Sequence, residues 1–244
     1  MGPAKPETTS DASGFPSTWW ALIRAVQHGG DPETARACFG RLVQVYWHSV
    51  YVFFRSRGQD APRAAALSQA FLAQLCAADA LPAIDPNQVR FRVWLHTALS
   101  KFLSEAQPLA PLAQAPVVLD FEAAERRFQR DSAPAGTAER QFERAWALAL
   151  LERALVRFKQ EYVTAGKAEL YASICGFLAI ESSAPAEPST SALKMAVQRG
   201  RQRLRRLVRE EIAQLLDLPA DNKDHELHRS ELEALRAALE VNSG

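Results

Sequence analysis

Glycine is scarce in this sequence, at 11 of 244 residues, and no Asn-Gly or Asp-Gly pair separates alternating strands. The hairpin signal is therefore missing, which argues against an all-β chain. Cysteine is scarcer still, and Cys38, Cys76 and Cys175 stand singly. An odd set with no close pair supplies neither a disulfide framework nor a zinc knuckle, and it suits a reducing cytoplasm. Long apolar runs are missing too. Stretches such as Ala145 to Leu151 fall far short of the roughly 20 residues a membrane span needs. The opening MGPAKPETTSDASGF holds no apolar run of the kind a secretory signal carries. The chain is expected to be cytoplasmic, with no membrane partner. Net charge is small as well: 29 Lys and Arg against 28 Asp and Glu leave +1. That excludes a uniformly basic coat protein and an acidic disordered tail protein, but not a local basic patch. No GxSxG, Walker loop or GxGxxG occurs, so no enzyme chemistry and no cofactor are expected.

What is present reads as helix. Ser17 can cap a segment through Trp19, Trp20, Leu22, Ile23 and Val26 that stops at Gly29-Gly30. Asp31-Pro32 then reads as a cap and first helical residue. The helix that follows places Ala35, Cys38, Phe39, Leu42, Val43, Tyr46, Trp47, Val50 and Phe53 at steps of three and one, and Gly58 ends it. Asp60-Ala61-Pro62 restarts the chain into a helix carrying Ala66, Leu67, Ala70, Phe71 and Leu75. After a loop, 78–88, comes a helix over about 89–106 with Phe91, Trp94, Leu95, Leu99, Phe102 and Leu103. Residues 107–136 hold Pro108, Pro111, Pro116 and Pro134 and read as a linker, interrupted by one short helix in FEAAERRFQR. Thr137 is the expected cap of a long helix to about Thr164, with Phe142, Trp146, Leu148, Ala149, Leu151, Ala154, Leu155 and Phe158 inward. Gly166 breaks it. A further helix over 167–178, the proline-bearing loop ESSAPAEPS, a long helix from about Thr190 to before Pro219 and a final charged helix complete the chain. The expected fold is all-α: a disordered N-terminus over 1–14, one small helical domain over 15–106, the linker over 107–136, a second domain over 137–217 and an acidic tail over 218–244.

Charge is unevenly placed. Residues 189–213 carry a net +5, and residues 214–244 a net −4. On the basic helix, Leu193, Val197, Gly200, Leu204, Val208, Ile212 and Leu215 recur at steps of three and four and form the expected buried stripe. Lys194, Arg199, Arg201, Arg203, Arg205, Arg206 and Arg209 then project around the other sides. Such a face neutralises phosphates. Ser189, Thr190 and Ser191 at its start can contact phosphates or base edges when that end enters a major groove.

Two segments, FRVWLHTALSKFL at 91–103 and SALKMAVQRGRQRLRRLVREEIA at 191–213, are similar to parts of the bacterial extracytoplasmic-function sigma factors. The first resembles that family's helix after the promoter-melting loop, and the second its promoter-recognition helix. The resemblance spans roughly residues 15 to 215. It implies a domain that binds core RNA polymerase and the melted minus-ten element, followed by a helix-turn-helix that reads the minus-thirty-five element. The implied DNA-binding residues are Ser189, Thr190, Ser191, Lys194, Gln198, Arg199, Arg201 and Arg205, with Arg90 and Arg92 beside the melted strand. The implied polymerase contacts are Leu67, Ser68 and Gln69. The implied partners are core RNA polymerase, promoter DNA and an anti-sigma or other regulatory protein.

The sequence departs from that family in four places. The acidic run of its third helix is replaced by APRAAALSQAF at 61–71. Only ESSAPAEPS stands where the family has a helix bracing the recognition helix. Gly200 takes the place of a Leu-type side chain, at a cost of roughly 1 kcal/mol relative to Ala in a helix interior. The neutral AQPLAPLAQAPVV follows the first domain where the family is basic. These changes favour a second reading, a protein-interaction module of sigma ancestry that has lost promoter recognition. The tail motif His225-Glu226-Leu227-His228, with Asp224 beside it, has too few ligands for a closed metal site and reads as part of a solvated tail helix. That acidic tail could also fold back on the basic helix and compete with DNA. Cys38 and Cys175 are expected in the core.

Overall fold

The computed structural model describes residues 32–76, 91–105, 119–131, 136–178, 190–216 and 226–240. Among the described residues there are eight α-helices and no strand. They are α1 (Pro32–Ser56), α2 (Ala61–Cys76), α3 (Phe91–Glu105), α4 (Phe121–Asp131), α5 (Ala138–Thr164), α6 (Ala168–Cys175), α7 (Ser191–Leu216) and α8 (Glu226–Glu240). The expected disordered N-terminus, the helix through Trp19 to Val26, the loop 78–88 and residues 107–118 of the linker lie outside the described residues, as does the ESSAPAEPS loop.

Local chemistry sets the helix ends. Gly58 takes φ +82° and closes α1, a left-handed conformation that suits glycine. Asp60 then accepts the Arg63 backbone N–H at 2.8 Å and starts α2. Thr137 does the same for α5, its hydroxyl accepting the Arg140 N–H at 3.3 Å. Gly166, at φ +68°, turns the chain out of α5, and the Lys167 N–H returns to the Tyr162 carbonyl at 2.8 Å.

Between Val43 and Phe54, only Gln44 of α1 is exposed. A helix that is apolar nearly all round needs cover on every side. α2 and α4 supply part of it, and α5 supplies the largest share by lying along α1. α5 carries α6, α7 and α8 on its other sides. One apolar cluster therefore runs from Phe53, Phe54, Leu67 and Leu99 through Phe142, Trp146 and Leu150 to Phe158, Leu207 and Ile212. The described helices of 15–106 and 137–217 share this cluster. The short helix expected inside the linker is α4, and it is bound rather than extended. Glu125 takes the Arg55 guanidinium through both oxygens at 2.8 Å and the Tyr51 hydroxyl at 2.6 Å. The Arg55 hydrogen bonds hold the Glu125 carboxyl at about 2, against an ordinary value of 4.5.

The C-terminal helix corrects a second expectation. α8 is not a solvated tail: Leu235, Ala238, His228 and Glu231 are buried. Glu231 reaches Arg92 of α3, 139 residues away, at 3.3 Å from Nε. Arg92 also pairs with Glu143 of α5 and lies over the Trp146 ring at 4.7 Å. It is only 6% exposed. Burial alone would lower its pKa, but Glu231 and Glu143 together raise it and keep the guanidinium charged. Next to this cluster, His96 packs edge-on against Phe142 at 4.5 Å. Burial first, and then the Arg92 charge, push His96 down to about 4 from 6.5. At neutral pH it is an uncharged ring.

A lowered histidine pKa means the unfolded chain takes up the proton first. The stability from keeping His96 neutral is present above about pH 6.5 and is lost as pH falls towards 4. His48, buried and also lowered to about 4, contributes in the same window. His96→Phe keeps the ring contact and removes one of the two titrations. Urea unfolding at pH 7 and pH 4.5 is expected to give a smaller loss of stability on acidification for this variant than for the parent chain. Equal losses would mean that His96 is not buried in its neutral form.

Candidate nucleic-acid interface

Thr190 precedes α7 and caps it, its hydroxyl accepting the Leu193 N–H at 3.2 Å. Its buried stripe contains Val197, Gly200, Leu204, Val208 and Ile212, as the spacing predicts, with Leu193 packed beside them. The Leu215 side chain lies outside the described residues. Leu207 and Glu211 are buried as well, and Glu211 has a definite reason. Arg153 and Arg157 of α5 each meet it at 2.8 Å, and Arg157 also meets Glu210 at 2.8 Å. Arg203 turns back to α5 and pairs with Glu161 at 2.8 Å and with Glu210 at 3.0 Å. The Arg203 hydrogen bonds pull the Glu161 carboxyl below its usual range. One of the seven basic residues is thus spent on structure, and the network fixes the rotation of α7 on α5.

That rotation decides what faces solvent. Lys194, Gln198, Arg201, Arg205 and Arg209 are exposed and follow one another at steps of four, three, four and four, which places them on one side of the helix. Arg199 and Arg206, also exposed, flank the stripe. From 194 to 209 the helix rises about 22 Å, the length of about six phosphates along one strand. Arg201 donates to the Phe177 carbonyl at 2.9 Å, which orients its guanidinium. Arg199 donates to the Met195 carbonyl at 3.3 Å. Thr190 and Ser191 are exposed at the start of the helix, and Ser189 lies outside the described residues.

The gap 179–189 is outside the described residues, but α6 and the turn after it already lie against α7. At Gly200 an added Cβ would stand 3.2 Å from Ile174 Cδ1, 3.4 Å from Phe158 Cζ and 3.6 Å from Leu178 Cδ2. Gly200 is therefore not a missing Leu. Three neighbouring side chains fill the space a Leu would have used.

No family model, no curated protein and no solved structure matches this chain.

The first-half candidates fare differently. Arg92 is corrected from a DNA contact to a buried partner of two carboxylates. Leu67 and Ser68 are fully buried, and the Ser68 hydroxyl donates to the Ala64 carbonyl at 2.7 Å. Neither presents a side chain to a partner protein, whereas Gln69 is exposed. Arg90 lies outside the described residues. Cys175, expected in the core, is exposed, because Ile174 beside it is the residue that α6 turns inward. The Cys38 side chain is not among those described. His228 is buried, with Nε2 3.1 Å from the Arg209 carbonyl. Among the described residues no cluster of three His, Cys, Asp or Glu could hold a metal ion, and no helix is long and apolar enough to cross a membrane.

Proposed function

We propose that this protein is a sigma-factor-like transcription regulator that grips duplex DNA through the solvent face of α7, with core RNA polymerase as its protein partner. The exposed stripe Lys194, Gln198, Arg201, Arg205 and Arg209 carries the reading. Four cations at helical spacing, on a helix whose opposite face is locked by ion pairs, form a rigid surface for a phosphate backbone. The likeness of 91–103 and 191–213 to sigma factors supplies the setting. Binding to a labelled duplex of about 30 base pairs is expected to weaken with salt, each of up to four cationic contacts adding about −0.9 to the log–log slope. Arg205→Ala is expected to reduce that slope by about one and affinity a few-fold. Salt-independent binding, or none at low salt, would overturn the proposal.

A second reading, the protein-interaction module that has lost promoter recognition, is favoured by the buried state of Leu67, Ser68 and Arg92. α1 also lies along α5, which packs the described helices of the two halves against each other rather than holding them apart. Reconstitution with core polymerase separates the readings. A complex that opens a promoter supports initiation, and a complex that leaves the duplex closed supports the module.

A further inference from the structure

α8 joins helices from both halves of the chain. It packs on α5 and α7, and Glu231 extends to Arg92 of α3 at 3.3 Å and 3.5 Å. His228 sits on the Arg209 carbonyl, at the C-terminal end of the basic stripe. Among the described side chains, its apolar attachment rests on buried Leu235 and Ala238, with Leu232 and Leu239 partly buried. Arg229, Glu233 and Arg236 are exposed. A helix of 15 residues is marginal by itself and depends on such docking.

The charge arrangement makes this attachment separable. Two carboxylates share one guanidinium, and Glu231 is the partner that α8 contributes. If α8 leaves, Arg92 keeps Glu143, and the group that remains is a neutral pair with no stranded charge. Release that stranded a buried charge would be expensive, and here Arg92 still has Glu143. We propose that α8 is a releasable clasp, in which Glu231 holds α3 to the second half while His228 seats the same helix at the end of the α7 basic face. The clasp stands on these contacts alone. Its consequence, that release alters DNA binding at α7, rests on the proposed function.

Hydrogen exchange on the full chain at neutral pH tests the clasp without DNA. Two variants release α8 by different groups: Glu231→Ala removes the ionic hold, and Leu235→Ala an apolar one. Both are expected to speed exchange across α8 by at least tenfold, and Leu235→Ala is expected to speed α3 as well, although Leu235 is remote in sequence from it. α1, α2 and α5 are expected to exchange as in the parent. If α8 loosens and α3 does not, or if all helices loosen together, α8 is not a clasp. Affinity for a duplex of about 30 base pairs, one contact per about 3.4 Å of strand, is then compared across the same variants. A changed affinity supports the coupling. Unchanged binding in all three proteins removes the coupling and leaves the clasp, and no binding by any of them removes the DNA reading instead.

Discussion

Arg92→Leu is expected to lower the unfolding free energy by about 3–5 kcal/mol, the range for breaking a buried ion pair from one side. The substitution leaves Glu143 and Glu231 without the guanidinium between them. It also removes the cation held over Trp146, where such a contact contributes up to about 2 kcal/mol when desolvated. Lys is a poor rescue, because its ammonium cannot serve two carboxylates and a ring face with the same planar fork. A third variant tests the mechanism. Replacing Arg92, Glu143 and Glu231 together by Leu removes the charges as a set, and is expected to recover most of the lost stability. Urea unfolding at neutral pH reads all three. If Arg92→Leu costs under about 1 kcal/mol, the cluster behaves as an exposed ion pair and the joining of α3, α5 and α8 has another basis.

Arg92 also marks the limit of what could be read from the sequence. Helix ends were legible because their causes are local: Asp60, Thr137, Gly58 and Gly166 act within a few residues of themselves. The two faces of α7 were legible because a period of 3.6 sorts apolar from basic residues within one helix. The partners of Arg92 lie 51 and 139 residues away on helices whose contact no local pattern encodes. The resemblance therefore set Arg92 beside the melted strand, whereas its contacts are internal. Glu211 was missed for the same reason, since its partners Arg153 and Arg157 sit on α5. In α8 a usable signal was present. Leu232, Leu235, Ala238 and Leu239 recur at steps of three, three and one, a docking stripe that the surrounding charge outweighed.

Gly200→Leu is expected to cost about 3 kcal/mol, at the upper end of what overpacking a filled site usually costs. Already at Cβ the nearest atoms are Ile174 Cδ1 at 3.2 Å and Phe158 Cζ at 3.4 Å, so the remaining three carbons of a Leu have no space without moving α7 away from α5 and α6. Gly200→Ala is the control. Ala gains about 1 kcal/mol of helix propensity, and its single added carbon meets the end of the Ile174 side chain, which can shift. The two effects nearly cancel, and Ala is expected within about 1 kcal/mol of the parent. The contrast between the variants isolates the close approach from the intrinsic cost of glycine. If Leu were tolerated as well as Ala in urea unfolding, α7 would not be held against Ile174 and Phe158. The ion pairs from Arg153, Arg157 and Glu161 would then have to fix the basic face alone. Arg201 sits one residue beyond Gly200 and donates to the Phe177 carbonyl. A shift of α7 at Gly200 therefore also turns the first guanidinium of the stripe. Loss of stability and loss of the proposed salt-dependent DNA binding are expected together in Gly200→Leu, and neither in Gly200→Ala.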